Sequence, residues 1–508
     1  MNKIKILLLS LVIITAFSGV KAETALKPIQ IRTTATASVS NIDIKSKDNF
    51  IKAKYASAEN RFIQGNVNAA YDDFDSLVEQ AEHDDYVFLL YGIKMAEYGM
   101  FDLTDKLINK LDINHFTGAY VKDIQKYYYP SGIVGKQDII SLADAYSNIV
   151  YNNMALETTS ELLNLSKTDE NDYKYYLIAL GYYKSNNLNL ALKNINNAIK
   201  QNGDNINYLS LKARILADSK KSSQALSLMK DIKKTEFLTI DFKQKVRATE
   251  EYVLYKTSKQ EALKDYHLAY YYHLQDKSLL AIKVLQSALL TSKQYSSDIN
   301  SLLGRIYYEN NEPVKALDYA TRAFKSDKHN YLAALTLAAI KFDGKSYSES
   351  LEYYKKAKKL TKDVAPQVGI AKSYIELNQS DKAKKIFERL LKNNKMNEDL
   401  LVESLKIIPQ RIDYYLPRVA SVDLSNNDIW LGLANHAIKD GNYVMALTYL
   451  NNSYYIDENN FKYYYYLSQV QRAKGENESA DKSLMRCADI NADYKSAINS
   501  RYTDYYGN

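Results

Sequence analysis

His267 and His273 are the first residues to test for chemistry, because imidazoles on one helix face can hold a metal ion. They stand six apart, a spacing that does not align two ligands on one face, so no metal site is expected. Gly132-Ile133-Val134-Gly135-Lys136 resembles a phosphate-binding loop only in outline. Its glycines are too close together, and Gln137 stands where a hydroxyl would hold magnesium. No GxSxG nucleophile elbow is present. Cys487 is the sole cysteine, which excludes an intramolecular disulfide, a CxxC centre and a thiolate metal cage. It falls at an expected core position, where a thiol is inert. The expectation is therefore a non-enzymatic protein with no catalytic, cofactor-binding or metal-ligating residues and no cofactor.

What must be positioned instead is a large supply of tyrosine, 46 of 508 residues. Tyrosine brings contact area with only two torsions to freeze and keeps a hydroxyl for hydrogen bonding. The chain is also rich in Asn, Lys and Ile, as an AT-rich genome would make it without selection for binding, so composition alone leaves both explanations open. With 46% hydrophobic and 25% charged residues the chain should fold, and six prolines and 16 glycines favour long helices over a turn-dense β architecture.

Lys3 and Lys5 precede an apolar run from Ile6 to Phe17, and Val20-Lys21-Ala22 offers a cleavage site, so residues 1–22 read as a secretory signal. The apolar run, about 12 residues against the ~20 that span a bilayer, is too short for a stable transmembrane anchor. No cysteine follows to carry a lipid. Removing the leader's three lysines lowers the formal charge from +7 to +4. Export and this modest charge argue against nucleic acid as a partner. Residues 23–49 read as a flexible leader or a short edge strand, and 501–508 as a tail.

Between them a self-similarity of 34 residues recurs. Windows beginning at Tyr176, Ile429 and Tyr464 each carry a small residue, a second 12 later and a third compact residue seven beyond that: Ala179, Ala191, Ala198; Ala434, Ala446, Ser453; and Ser468, Ala480, Cys487. Turns such as Asp440-Gly441-Asn442 separate the first two members. The second small residue can be followed through Ala70, Thr104, Ala155, Ala191, Ala225, Ala281, Ala316, Ser350, Ala383, Ala446 and Ala480. The intervals are 34, 51, 36, 34, 56, 35, 34, 33, 63 and 34. Each long interval has room for an extra helix or a worn repeat, placing irregular breaks near 112–140, 235–262 and 397–425.

This pattern resembles the tetratricopeptide repeat, whose paired antiparallel helices meet at small side chains. The resemblance implies an all-α, right-handed α-solenoid, a superhelix of roughly 11–13 helical hairpins over residues 50–500. Many repeats lack the family's closing proline, carrying Gly203, Lys328 and Glu458 there, which leaves the superhelical pitch open. In the family the first helix of each pair lines a concave groove. Carried over, the groove contacts are Tyr176, Tyr183, Tyr266, Tyr270, His273, Arg305, Tyr308, Lys372, Tyr465 and Arg472. Some members clamp a C-terminal carboxylate with lysine, asparagine and arginine. That set does not assemble here, since Arg305 is accompanied by Ser301 and Tyr308, and Lys372 by Val368 and Ile375.

Charge is uneven: residues 48–112 hold 13 acids against six bases, and 355–395 hold 12 bases against four acids. Such runs are most often solvated helix faces, though they could attract a charged partner. With the leader pointing to export, the resemblance implies a periplasmic scaffold that binds envelope proteins or peptides. The alternative is a carbohydrate-binding accessory of polysaccharide export or cell-wall maintenance. An enzymatic rival, the murein lytic transglycosylases, rests on Glu403-Ser404, but the glycine-rich segment that family carries downstream is missing.

Overall fold

The computed structural model describes residues 41–491 except 82–86, 112–117, 132–134, 165–170, 236–239, 292, 294, 393–397 and 409–426. The expected secretory signal (1–22), most of the expected leader, the tail, Gly132 to Val134, and most of the break expected near 397–425 lie outside the described residues. All regular structure among the described residues is helical, including one π-helical turn at Phe88–Gly92 that leads into a helix.

Beyond residue 50 the described residues divide into two compact units, 51–366 and 367–491. In the first, α1 (Asn41–Ile63) pairs with α2 (Val67–Gln80) and α3 (Ile93–Glu97) with α4 (Phe101–Ile108). The helix α5 (Gly118–Tyr127) stands alone. Then α6 (Lys136–Val150) pairs with α7 (Ala155–Asn164), α8 (Asp172–Lys184) with α9 (Leu188–Gln201), and α10 (Ile206–Asp218) with α11 (Ser222–Ile232). A second single helix, α12 (Ile240–Thr257), precedes α13 (Glu261–His273) with α14 (Ser278–Thr291), α15 (Ser296–Glu309) with α16 (Pro313–Ser326), and α17 (Tyr331–Asp343) with α18 (Tyr347–Leu360). The second unit is built from α19 (Ala365–Glu376) with α20 (Ser380–Lys392), the single helix α21 (Glu398–Ile407), α22 (Asn427–Lys439) with α23 (Tyr443–Ile456), and α24 (Phe461–Ala473) with α25 (Asn477–Ile490). The result is an α-solenoid of hairpins, packed within each unit on their sequence neighbours. Among the described residues a single helix falls in each of the three long intervals, while residues 41–49, read from the sequence as leader, belong to α1.

A left-handed residue closes the first helix of every hairpin. These are Gly65, Gly99, Asn153, Asn186, Lys220, Asp276, Asn311, Lys345, Asn378, Gly441 and Gly475, with φ between +57° and +83°. The conformation turns the chain so that two backbone amides reach back to the helix end, as where Asn186 N donates to Tyr183 O at 3.0 Å and Asn187 N to Tyr182 O at 2.8 Å. Glycine, Asn and Asp adopt it cheaply, whereas Lys220 and Lys345 carry a Cβ into a crowded region.

Five residues after each left-handed residue stands the buried small side chain of the second helix, from Ala70 and Thr104 through Ala480. The hairpin of α6 and α7 corrects the sequence register. Five residues beyond Asn153 lies Thr158, which is buried, whereas Ala155 is half-buried in the first turn of α7. An alanine three positions away had the right size and the wrong place. The small residues let paired backbones touch: a Cβ added to Gly304 on α15 would lie 2.9 Å from the backbone nitrogen of Ala320 on α16. At Ser350 the hydroxyl of the small residue bonds the facing helix, donating to Ala338 O at 2.9 Å. Cys487, third member of its triplet, is fully buried, and burial pushes its thiol up to about 12, in keeping with an inert core role.

Candidate functional site

In the first unit the first helices α6, α8, α10, α13, α15 and α17 stack in series, and α12 joins this layer between α10 and α13. It holds seven of the ten residues carried over from the repeat motif: Tyr176 and Tyr183 on α8, Tyr266, Tyr270 and His273 on α13, and Arg305 and Tyr308 on α15. All are half-buried except His273, which is buried.

Three of these seven are occupied in one recurring way. Tyr183 donates its hydroxyl to Asp218 Oδ2 at 2.7 Å, His273 Nε2 lies 2.7 Å from Glu309 Oε2, and Tyr308 donates to Asp343 Oδ2 at 2.7 Å. Tyr183, His273 and Tyr308 each stand three residues before the left-handed residue of their own hairpin. Asp218, Glu309 and Asp343 each stand two before that of the next. They form a ladder of side-chain staples in which a donor of one repeat holds an acid of the following one. Sequence reasoning missed the three acids, although an acid 35 or 36 residues after the Tyr or His was visible in the chain.

The electrostatics fit this role. Burial opposes ionisation of Glu309, but the Arg305 guanidinium and His273 beside it hold its carboxyl down at about 2. Burial likewise opposes ionisation of Asp218. The hydroxyls of Tyr183 and Tyr252 and the ammonium of Lys256, 2.9 Å away, outweigh burial and lower its pKa. Burial pushes the Tyr183 phenol up to about 12, so it remains a neutral donor. Farther along the chain, Glu97 at the end of α3 accepts from Tyr128 at 2.7 Å and pairs with Lys245 of α12 at 3.6 Å. The first unit thereby ties residues separated by more than a hundred positions.

Around α13 the layer is aromatic and basic. The Arg247 guanidinium of α12 lies over the Tyr270 ring, 4.8 Å from its centroid, and hydrogen-bonds the Tyr270 hydroxyl. His267 Nδ1 meets Glu251 Oε2 at 2.8 Å. On α8, Tyr176 stacks on Tyr208 with centroids 5.1 Å apart.

In the second unit the three remaining candidates fare differently. Lys372 pairs with Glu403 at 3.7 Å, both side chains being nearly buried. Tyr465 is buried and belongs to the packing of α24. Arg472 is exposed but turned to Asp481 of its own hairpin at 2.7 Å. Tyr465 sits in the core, as do Tyr463 and Tyr466 on the same helix. Glu403, tied to Lys372, and the fully buried Ser404 present no acid to a substrate. No group of acids, histidines and cysteine suited to a metal occurs among the described residues, and no helix among them is long and apolar enough to cross a membrane.

Residues 301–365, covering most of α15, all of α16 to α18 and both of their left-handed turns, match the family model described as tetratricopeptide repeat. These two hairpins match tetratricopeptide repeats. The chain is 30% identical over 227 residues to a TPR repeat-containing protein of Methanocaldococcus jannaschii, a match spanning 43% of this chain and 37% of that one. Among solved structures it is similar to a chain of the APC/C hetero-tetramer Cut9-Hcn1, with a TM-score of 0.45 and 11% identity over 91% of this chain and 99% of that one.

Proposed function

We propose that this protein is a non-enzymatic, exported scaffold that binds an extended segment of another envelope protein along the first helices of its first unit. The observation that carries this reading is the stapled layer itself. Side chains fixed from one repeat to the next by the Asp218, Glu309 and Asp343 contacts form a preorganised surface, which lowers the entropy cost of binding. Half-buried rings such as Tyr176 and Tyr270 leave area for a partner, and Arg247 adds a charge-assisted contact. Export is supported by the basic and apolar leader that ends at Ala22.

Crosslinking in intact cells followed by mass spectrometry tests the proposal. Envelope proteins should be captured by wild type, and capture should fall at least tenfold in a Tyr270→Ala, Arg247→Ala variant with unchanged helicity. Unchanged capture by that variant would place binding elsewhere.

A further inference from the structure

The Arg214 guanidinium of α10 is the cation in the first-helix layer whose surroundings are least explained by packing. It lies over two phenol rings, 5.5 Å from the centroid of Tyr183 and 4.7 Å from that of Tyr252. Its Nε is buried and makes no hydrogen bond, and no ion pair to Arg214 is found among the described residues. Asp218, one turn along the same helix, is committed to Lys256, Tyr183 and Tyr252. Tyr271, with its ring 5.3 Å from Tyr252, and Tyr176 are within electrostatic reach of Arg214, as is Lys184. A guanidinium kept away from carboxylates is costly unless something supplies the negative charge. Arg214, Tyr176, Tyr183, Tyr252 and Tyr271 are all half-buried, so each keeps some contact with solvent.

We infer that Arg214 and the tyrosines around it form a binding site for a carboxylate side chain, Asp or Glu, of an extended acidic peptide. The planar fork of a guanidinium matches a carboxylate in a bidentate pair, and the surrounding rings cover the aliphatic stem of the same residue. A single fork flanked by phenols suits a monoanion. This inference rests on the scaffold reading and specifies which segment the first-helix layer would select.

The test uses the full-length protein and a fluorescein-labelled hexaglutamate peptide with an amidated C-terminus, read by anisotropy at low and high salt. Wild type should bind, more weakly as salt rises, and a hexaglutamine peptide should bind at least tenfold less. Arg214→Gln should lose at least tenfold in affinity with an unchanged melting temperature, and Arg214→Lys, which keeps the charge without the fork, should fall between. Equal binding of the two peptides, or equal affinity of Arg214→Gln and wild type, would overturn the inference. Displacement of the peptide by inorganic phosphate at lower concentration than by glutarate would overturn the carboxylate assignment. Failure of the two readings is separable. A wild type that crosslinks no protein in cells defeats the scaffold reading, whereas equal partner capture by wild type and Arg214→Gln defeats only the Arg214 site.

Discussion

Replacing Glu309 by Gln removes the acid of the middle staple while keeping its shape, and the consequence can be worked out from the site. Glu309 is held by Arg305 and His273 and its carboxyl is lowered from 4.5 to about 2. A carboxyl depressed in the folded state stabilises that state at every pH above its unfolded value, and the contribution disappears as pH falls from 4.5 through 2. The depression corresponds to about 3 kcal/mol, and with only 16% of the side chain exposed it needs little discount for solvent screening. Because repeat arrays open in stages, the assay is hydrogen exchange of the α13 and α15 amides in wild type and Glu309→Gln at matched pH. The variant should open more easily by about 3 kcal/mol at pH 7, and the difference should shrink towards zero near pH 2. A difference that is absent at pH 7, or that stays constant down to pH 2.5, refutes the reasoning.

Other consequences follow from the turns and the helix contacts. Lys220→Gly and Lys345→Gly relieve a left-handed conformation at φ +58° and should each stabilise their hairpin by about 1 kcal/mol in urea titrations. Gly304→Ala forces a methyl against the Ala320 backbone and should cost about 2 kcal/mol, seen as a lower melting temperature. Tyr308→Phe deletes the hydrogen bond to Asp343 and should loosen α15 against α17 by about 1.5 kcal/mol in hydrogen exchange, with no change in helix content.

The hairpins were legible in the chain because small residues at a fixed interval are a one-dimensional signal: Ala179 with Ala191, or Ser468 with Ala480, can be found without coordinates. The register of the hairpin of α6 and α7 was not, since Ala155 and Thr158 both satisfy size, and only the left-handed Asn153 decides between them. Asn, Asp and Gly at the other turns were equally visible, but Lys220 and Lys345 carry no such mark, so the turn pattern emerges only from the backbone. The site was partly legible. Placement on first helices located Tyr183, His273 and Tyr308 but did not show that their polar atoms were already taken by the next repeat. That pairing depends on the step from one hairpin to its neighbour. Arg214 escaped notice for the related reason that its lack of a carboxylate partner is a property of four helices together, α8, α10, α12 and α13. The burial of Tyr465 was not legible either, because its helix carries four tyrosines in succession, and which of them face inward depends on packing rather than on residue type.

The most direct measurement places a photo-crosslinking amino acid at Tyr270, in the first-helix layer, and separately at Leu279, which is 75% exposed on the second helix α14. Illumination of living cells should yield a protein adduct from position 270 and none from position 279. Adducts from 279 alone would contradict the assignment of binding to the first helices.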